Sequence, residues 1–387
     1  MNNKLLFSVL ILIVGISGFS QGMLLPIIAI IFENDGISSS LNGFHAASLY
    51  IGILLISPFM EAPLRKYGYK PLIIFGGITV ILSLALFPVW KSFWFWFVLR
   101  FFIGIGDHTL HFATQTWITA ISPKTKRGRN LAIYGLFFSL GFMVGPLMTK
   151  LLEINQSLPF IITSILSLLA WSAVFLIRNE LPEQDSESTS FLGTLKRFTK
   201  VSRIAWVAFL LPFTFGVLEA SLNSNFPVFA LRSGIDLTAV SIIIPAFSAG
   251  TLLTQIPLGM ISDRFGRRKT LLTILFSGFA IFTLAGVYSY SVLGLFICFM
   301  FGGMMVGSTF SLGISYMADL LPRNLLPAGN LLCSIFFSLG SIGGPFFGGL
   351  VIEHIQGGNF FYMISIMLFL VFISLALFKE KMPASVM

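Results

Sequence analysis

Polar side chains recur along one face of a long apolar segment in the first half of the chain. Arg100, Gly104, Asp107, His111 and Gln115 follow one another at steps of three or four residues, so a helix places all five on one stripe. An ionisable group at the centre of a bilayer costs at least about 2.5–3.5 kcal/mol. We therefore expect this stripe to face a water-filled cavity, where its chemistry is the binding and transfer of protons.

Within the stripe, Asp107 and His111 lie one helical turn apart and can share a proton. Arg100 lies two turns from Asp107, so water or another helix is expected to link them, and Arg100 is expected to tune the proton affinity of the pair. The alternative for Asp107 is a structural ion pair. His108 points about 100° away from Asp107, where hydrogen-bonded packing and proton coupling remain equal alternatives.

A second group of polar residues interrupts the apolar segment 204–231. Glu219 lies about halfway along it, with Asn223 one turn further on and Asn225 beyond. We expect Glu219 to exchange protons, the alternative being an interhelical hydrogen bond from a neutral acid. In the first apolar segment, Gln21 is the large amide at mid-length and is predicted to contact substrate or a polar network.

The composition identifies the elements that must hold these residues. The chain has 387 residues, of which 56% are hydrophobic and 10% charged, whereas an ordinary soluble domain has about a quarter charged residues. A spanning helix needs about 20 apolar residues, and we predict an all-α integral membrane protein with 12 transmembrane helices. The predicted spans are 5–32, 40–62, 71–90, 92–121, 130–152, 157–178, 204–231, 238–261, 270–289, 291–319, 329–352 and 360–378.

The basic residues predict the orientation of these helices. Of 24 Lys and Arg, twenty fall in segments on the side that carries both termini, and the predicted external loops hold Lys91, Lys150 and Arg232. Basic residues accumulate on the cytoplasmic side of membrane proteins, so both termini are predicted to be cytoplasmic. The net charge of +9 is then a topology signal, and no nucleic-acid partner is expected.

The two halves of the chain repeat each other. Residues 137–146 read FFSLGFMVGP and residues 336–345 read FFSLGSIGGP, identical at seven of ten positions. Six helices per repeat return the chain to the same side, so the six-helix repeats are parallel. The predicted domains are an N-terminal bundle at 1–178, a cytoplasmic linker at 179–203 with a short interfacial helix, and a C-terminal bundle at 204–387.

A loop motif identifies a family resemblance. Residues 259–269 read GMISDRFGRRK and resemble the loop motif of the major facilitator superfamily, as do the six plus six helices and the linker. The motif residues are Gly259, Asp263, Arg264, Gly266, Arg267 and Arg268. Gly266 is expected to allow a tight turn, and Asp263 to accept bonds from helix-end amides and from Arg264. This cluster is interpreted as a cytoplasmic gate, the alternative being that its basic residues only set topology.

The first-half copy of this motif, EAPLRKYGYK at 61–70, has Glu61 where the motif has Gly and Arg65 where it has Asp. The segment RFFIGIG at 100–106 is similar to a motif of proton-coupled members. The antiporter motif is partial in the first half and complete in GSIGGPFFGG at 340–349. Its glycines and prolines, expected to pack helices, are Gly141, Gly145, Pro146, Gly340, Gly344 and Pro345.

Other chemistries are not supported by the sequence. A phosphate-binding loop and a nucleophile with its base are both missing, so we expect no enzyme and no cofactor. Cys298 and Cys333 lie in apolar runs and offer no disulfide framework or metal site. His45 and His354 are interpreted as residues of the external interface.

These observations predict a secondary active transporter of the bacterial inner membrane that works by alternating access. The resemblance implies that helices one, four, seven and ten line a central cavity. The favoured activity is proton-coupled efflux of small amphipathic or cationic compounds by a monomer, with Asp107, His111, Glu219 and Arg100 in proton coupling and Gln21, Gln115, Asn223 and His108 lining the cavity. Two alternatives remain, proton-coupled uptake of a small metabolite and a non-transporting membrane receptor.

Overall fold

The computed structural model describes residues 3–122, 127–181, 191–322, 325–355 and 359–379. All secondary structure in these ranges is helical. Residues 182–190 of the predicted linker lie outside the described residues. Nine of the basic residues used to predict orientation are affected in the same way. Lys124, Lys126, Arg323 and Lys381 lie outside the described residues, as do the side chains of Arg65, Arg127, Arg129, Lys196 and Arg197.

The helices follow the apolar segments of the sequence. They are α1 (Asn3–Asn34), α2 (Ser39–Ile56), α3 (Glu61–Tyr67), α4 (Tyr69–Leu86), α5 (Phe93–Ile121), α6 (Arg127–Val144), α7 (Leu158–Ser172), α8 (Phe191–Arg232), α9 (Leu237–Phe265), α10 (Arg267–Val287), α11 (Val292–Val306), α12 (Thr309–Leu320), α13 (Leu326–His354) and α14 (Phe360–Leu377). Short 3₁₀ helices continue α2, α6 and α7 at Ser57–Phe59, Gly145–Glu153 and Ala173–Leu176.

Eleven stretches of the described chain are long and apolar enough to cross a membrane. The remaining predicted span is α5, whose 29 residues exceed the roughly 20 that a bilayer requires. Its hydropathy is reduced by the polar stripe that includes Arg100, Asp107 and His111. The all-helical membrane architecture predicted from the sequence is confirmed.

Several spans predicted as continuous helices are interrupted. The predicted span 130–152 changes from α-helix to 3₁₀-helix at Gly145 and Pro146, and span 40–62 changes at Pro58. Proline cannot donate the next helical hydrogen bond. The span 291–319 divides into α11 and α12, with Gly307 and Ser308 between them. At Gly307 a side chain would overlap the hydroxyl of Thr251, so close packing against α9 requires glycine at this break.

The predicted linker helix is joined to the first span of the second half. Residues from Phe191 onward are helical and run into α8 through a kink at Ala205, where φ is −126° and ψ is 24°. The membrane-length part of α8 is Phe198–Arg232. The helix therefore begins well before residue 204, where the apolar pattern places its start.

The chain divides into two compact units, Met1–Gly36 with Phe44–Asp185, and Ile37–Gly43 with Ser186–Met387. The first unit packs its core from α1, α4, α5, α6 and α7. The second packs a larger core along α8, α9, α10, α13 and α14. Both cysteines, Cys298 and Cys333, lie buried in the second core as free thiols.

Glycines bring two pairs of helices into backbone contact. A methyl group on Gly141 of α6 would overlap the carbonyl oxygen of Gly15 on α1, and one on Gly145 would overlap the backbone near Met23. In the second unit, Gly340 and Gly344 of α13 approach the backbone of α8 in the same way. Small residues let membrane helices approach closely and gain dispersion energy.

The prolines of these motifs have different local roles. Pro146 is buried and begins the 3₁₀ continuation of α6, and its carbonyl oxygen accepts the hydroxyl of Thr149 at 2.7 Å. Pro345 lies inside α13. There, α13 comes so close to Gly43 of the same unit that a side chain on Gly43 would overlap the carbonyl of Pro345.

Equivalent basic residues cap the last helix of each repeat. Lys70 donates to the carbonyl of Ile177 at 2.8 Å. Arg268, which lies 198 residues after Lys70 in the second copy of the loop motif, donates through Nη2 to the carbonyls of Leu375, Ala376 and Phe378 at 3.2, 3.0 and 2.7 Å. Cations stabilise the carbonyl-rich end of a helix. Lys70 and Arg268 therefore hold helix ends.

Candidate functional site

Asp107 lies buried on α5 and faces α1. Its side chain is 1% exposed, and its Oδ1 accepts the hydroxyl of Ser17 at 2.5 Å. The amide of Gln21 is the other polar neighbour of this carboxyl group, while Oδ2 has no hydrogen-bond partner in the described chain. The acid is thus held by neutral groups, and no Lys or Arg pairs with it among the described residues.

His111 meets the same serine one turn further along α5. Its Nε2 lies 2.9 Å from Ser17 Oγ, and its Nδ1 lies 2.5 Å from the hydroxyl of Tyr134 on α6. The hydroxyl of Thr114 lies 3.3 Å from the same tyrosine oxygen. The sequence predicted that Asp107 and His111 work together, and the structure joins them through Ser17, a residue on another helix.

Arg100 belongs to a different cluster from Asp107. It is 1% exposed, and its Nη1 lies 3.1 Å from Nδ1 of His45 on α2. Arg100, expected to reach Asp107 only through water or another helix, contacts α2 and not Asp107. The reason is that the two side chains, two turns apart, meet different helices.

His45, expected near the external interface, is enclosed by residues of the first unit. His45 is fully buried, its Nε2 lies 3.2 Å from the carbonyl of Phe93, and the rings of Phe32, Phe93 and Phe97 surround it. Because Nε2 must donate to the carbonyl, Nδ1 accepts from Arg100 and the imidazole is neutral. His354, by contrast, is exposed at the end of α13, near the position expected.

His108 reaches neither cluster. Its Nε2 lies 2.9 Å from the hydroxyl of Ser57, at the end of α2, and that hydroxyl donates to the carbonyl of Ile53 at 2.6 Å. His108 is partly exposed. Its observed contacts are those of the packing alternative.

Glu219 is the ionisable residue in the interior of α8. Its side chain is partly exposed, and among the described residues it forms no ion pair. Asn223 donates to the backbone carbonyl of Glu219 at 2.7 Å, and the oxygen of this amide is buried without a partner. Asn225 is turned toward α13, where its amide nitrogen lies 3.4 Å from the carbonyl of Gly344.

Three aromatic rings form a cluster in the second unit, and one of them lies on α8 one turn before this acid. Phe215 precedes Glu219 by one turn of α8 and lies 5.9 Å from Phe310 and 6.1 Å from Phe337, measured between ring centroids. Phe310 and Phe337 are 5.4 Å apart, and all three rings are partly exposed. We call Phe215, Phe310 and Phe337 the aromatic triad. A carboxylate beside aromatic faces favours organic cations.

The acids occupy different positions in the two repeats. At the offset of 198 residues that relates α1 to α8, Glu219 corresponds to Gln21. Gln21 is partly exposed beside Asp107, and Gln115, at the other end of the stripe, is exposed. Among the described residues, each unit thus carries one acid midway along a membrane span, Asp107 on α5 in the first and Glu219 on α8 in the second.

The loop motif of the second unit forms a small ion-pair network. Arg267 pairs with Asp263 at 3.1 Å and with Asp319, at the end of α12, at 2.5 Å. Gly266, with φ of +95°, makes the turn between α9 and α10. Arg264, the partner expected for Asp263, lies instead over the ring of Phe265 at 5.6 Å, because its side chain leaves the helix on another face.

The degraded loop motif of the first unit is held by different residues. Asn179 accepts the backbone N–H of Lys70 at 3.0 Å and donates to the carbonyl of Tyr67 at 2.9 Å. Glu180 accepts the indole N–H of Trp117 at 2.9 Å. Gly68, at the turn between α3 and α4, has φ of +87°. The segment that follows the sixth span therefore holds this loop, whereas the loop of the second unit carries the ion pair of Asp263 with Arg267.

The two motif arginines are expected to differ in their effect on stability. The ion pairs of Arg267 involve carboxylates that are 66% and 53% exposed, and such pairs contribute about 0.2–1 kcal/mol each. Arg268 holds three carbonyls, and hydrogen bonds from a charged group contribute about 1.5–3 kcal/mol. Arg268→Ala should thus lower the thermal midpoint of the purified protein more than Arg267→Ala. The reverse order would contradict the capping role of Arg268.

Sequence reasoning missed Ser17, Tyr134 and the role of His45. Serine and tyrosine are common in membrane helices, and no spacing within α1 or α6 marks these two. The only available signal was the stripe on α5, which required polar partners without identifying them. Among the described residues no group of three His, Cys, Asp or Glu is arranged to hold a metal ion.

Comparison with known proteins extends these observations. The family model described as Major Facilitator Superfamily matches residues 10–244 and again residues 208–386. The uncharacterized MFS-type transporter YfkF of Bacillus subtilis is 55% identical over 97% of this chain and 96% of its own length. Multidrug resistance protein 1 of Bacillus subtilis is 25% identical over 86% of each chain.

Solved structures share the fold. A variant of the nucleoside transporter NupG superposes with a TM-score of 0.79, covering 96% of this chain and 98% of that one at 13% identity. A bacterial homologue of the human lysosomal transporter Spinster superposes with a TM-score of 0.69 at 14% identity, covering 96% and 94%. At these identities the likeness establishes the two-repeat fold alone.

Proposed function

Because the chain belongs to the major facilitator superfamily, we propose that it is a secondary active transporter that exports small amphipathic or cationic compounds in exchange for protons. It works by alternating access in the bacterial inner membrane. Asp107, His111 and Glu219 handle protons, and Asp263 with Arg267 acts at the cytoplasmic gate. Both termini face the cytoplasm, and the linker 179–203 joins the bundles 1–178 and 204–387.

The observation that carries this proposal is the pair of interior acids without basic partners. Asp107 contacts the neutral side chains of Ser17 and Gln21, and Glu219 has no ion pair among the described residues. A carboxylate away from water is costly unless a cation or a proton neutralises it. An acid in this setting exchanges protons, or a proton for a cation, as its access to water changes.

The aromatic triad supports an organic cation as the substrate. Cation–π contacts contribute about 0.5–2 kcal/mol each, and flat apolar rings accept ligands of many shapes. Glu219 lies one turn from the triad, where a proton and a cationic substrate can compete for the carboxylate. This competition provides antiport, since the substrate leaves when the proton binds.

The names of two relatives agree with efflux. Multidrug resistance proteins 1 and 2 of Bacillus subtilis are 25% and 23% identical to this chain over 86% and 90% of its length. They span most of the chain, including both repeats. We draw on them for the direction of transport and the breadth of substrates.

The test is transport by the purified protein in liposomes with an imposed pH gradient. Ethidium and tetraphenylphosphonium represent lipophilic cations, uridine represents metabolites, and an entrapped pH dye reports protons. We expect each cation to move against its gradient with a countermovement of protons, and uridine to give no signal. Glu153→Gln, which removes an exposed carboxylate from the first unit, serves as the matched control for acid substitutions.

Two outcomes would overturn the proposal. Proton movement in the same direction as uridine would identify metabolite uptake. Equilibration of a cation without proton movement would identify a facilitator, in which the interior acids have no coupling role.

A further inference from the structure

The directions of the hydrogen bonds around Ser17 are fixed by chemistry. An ionised carboxylate only accepts hydrogen bonds, so the Ser17 hydroxyl at 2.5 Å donates to Oδ1 of Asp107. The proton of Ser17 is then committed, and its oxygen must accept from Nε2 of His111 at 2.9 Å. Nε2 therefore carries the imidazole proton.

The same reasoning continues to α6. With the proton on Nε2, Nδ1 of neutral His111 is an acceptor, and the Tyr134 hydroxyl at 2.5 Å is its donor. The hydroxyl of Thr114 donates its proton to the carbonyl of Leu110 at 2.8 Å. Thr114 therefore leaves the Tyr134 hydroxyl in its role as the donor to His111. Four groups on three helices thus form one directed chain, from Tyr134 through His111 and Ser17 to Asp107.

We propose that Ser17 and His111 relay protons to Asp107. Tyr134 stands at the entrance of this relay, and its hydrogen bond to Nδ1 selects the His111 tautomer that the relay requires. This inference rests on the proposed proton coupling and assigns its path in the first unit. Neither Ser17 nor Tyr134 is ionised at rest, and each acts by passing on a proton that it immediately regains.

The transfer balances as a sequence of single proton shifts. The O–H bond of Ser17 breaks as an O–H bond forms on Oδ1 of Asp107. Ser17 regains a proton from Nε2 of His111, Nδ1 takes the proton of Tyr134, and the tyrosine oxygen takes one from a hydronium ion, which leaves as water. The net result is one proton moved from water to Asp107, and release runs through the same bonds in reverse.

The surroundings of the relay keep it distinct from the other ionisable groups. On α6, the ring of Phe138 packs edge-on against His111 at 5.0 Å, and Gln21 of α1 is uncharged. His108 is engaged by Ser57 and Arg100 by His45. His111 is partly exposed and Tyr134 is 8% exposed, whereas Ser17 and Asp107 are 5% and 1% exposed. Asp107 thus requires an intermediary, which is the role of the relay.

The experiment measures how fast Asp107 gains its proton, with no transport substrate present. After a rapid drop in pH, time-resolved infrared spectroscopy of the reconstituted protein follows the carboxylic-acid C=O band, assigned to Asp107 by its loss in Asp107→Asn. We expect Ser17→Ala to slow this step at least about tenfold. Tyr134→Phe should slow it as well, and the parent should show a solvent deuterium isotope effect that Ser17→Ala lacks.

Ser20→Ala is the matched control on the same helix. Ser20 is buried like Ser17, but its hydroxyl has no hydrogen-bond partner in the described chain. This variant should protonate Asp107 at the parent rate. Ser17→Thr, which keeps the hydroxyl, should restore the isotope effect.

The result distinguishes the relay from the transport function. If Asp107 gains its proton at the parent rate in both Ser17→Ala and Tyr134→Phe, the relay is overturned while proton coupling through Asp107 stands. If Asp107→Asn still drives uphill transport of tetraphenylphosphonium, proton coupling through Asp107 is itself overturned.

Discussion

Glu219→Gln is expected to lower proton-driven export of tetraphenylphosphonium by about 100-fold or more, the scale of losing a proton-transferring group. The amide keeps the shape of the side chain but can neither release a proton nor attract a cation. Downhill equilibration of the compound should be lost as well, because the carboxylate for which the proton and the cation compete is no longer there to bind the cation. Initial rates in liposomes with and without a pH gradient measure both effects.

Two further variants give this prediction its control. Glu219→Asp keeps the acid on a shorter side chain and should retain part of the activity, whereas the exposed Glu153→Gln should leave it unchanged. Parent-like uphill export by Glu219→Gln would remove Glu219 from the mechanism and leave Asp107 as the acid to be tested.

Gly141→Ala and Gly340→Ala are each expected to destabilise the protein by about 1–3 kcal/mol, the usual cost of overfilling a packed interior. The added methyl groups would overlap the carbonyl oxygens of Gly15 and Phe213. Because both clashes are with backbone, the helix pairs α1 with α6 and α8 with α13 must move apart. Thermal unfolding of the purified variants, detected by fluorescence size exclusion after heating, measures the loss of stability.

Each of these helices also provides its own control. Gly135 of α6 has open space where a side chain would point, and Gly343 of α13 meets only ring atoms of Phe347 at 3.8 Å. Alanine is favoured over glycine within a helix by about 0.5–1 kcal/mol, so Gly135→Ala and Gly343→Ala should be neutral or stabilising. Equal effects at all four positions would mean that backbone contact is not what these glycines provide.

The sequence predicts the helices well because continuous apolar character is sufficient to define a membrane span. It does not predict their interruptions. The change to a 3₁₀-helix at Gly145 and the division at Gly307 depend on neighbouring helices, through contacts with α1 and with Thr251. Pro146 cannot donate a helical hydrogen bond, so an interruption is possible there. Whether the α-helix continues beyond Pro146 is decided by its packing against neighbouring helices.

The candidate site likewise has a part that the sequence predicts and a part that it does not. Spacing along one helix is a local property, so the shared face of Asp107 and His111 can be predicted. Which helix opposes that face is a tertiary property, and this is why Ser17 and Tyr134 could not be found. Arg100 illustrates the limit, since it lies on the predicted stripe and its partner is His45, a buried residue that was expected near the external interface.

The two repeats carry their interior acids at different positions, and this difference bears on the transport mechanism. The second unit has Glu219 where the first has Gln21, and Val306 stands at the repeat position of Asp107. The two acids also have different surroundings, a hydrogen-bonded chain for Asp107 and aromatic rings for Glu219. We therefore expect the two acids to differ in role, with Asp107 specialised for protons and Glu219 shared between the proton and the substrate.

The two buried thiols make the chain well suited to site-directed labelling. Cys298 and Cys333 are its only cysteines, and both lie buried in the second core, where maleimide reagents have little access to the thiols. A cysteine introduced at exposed Glu153 or Lys91 would then carry a fluorophore or nitroxide on an almost silent background. Pairs of such labels can follow motion during turnover without first removing native residues from the core.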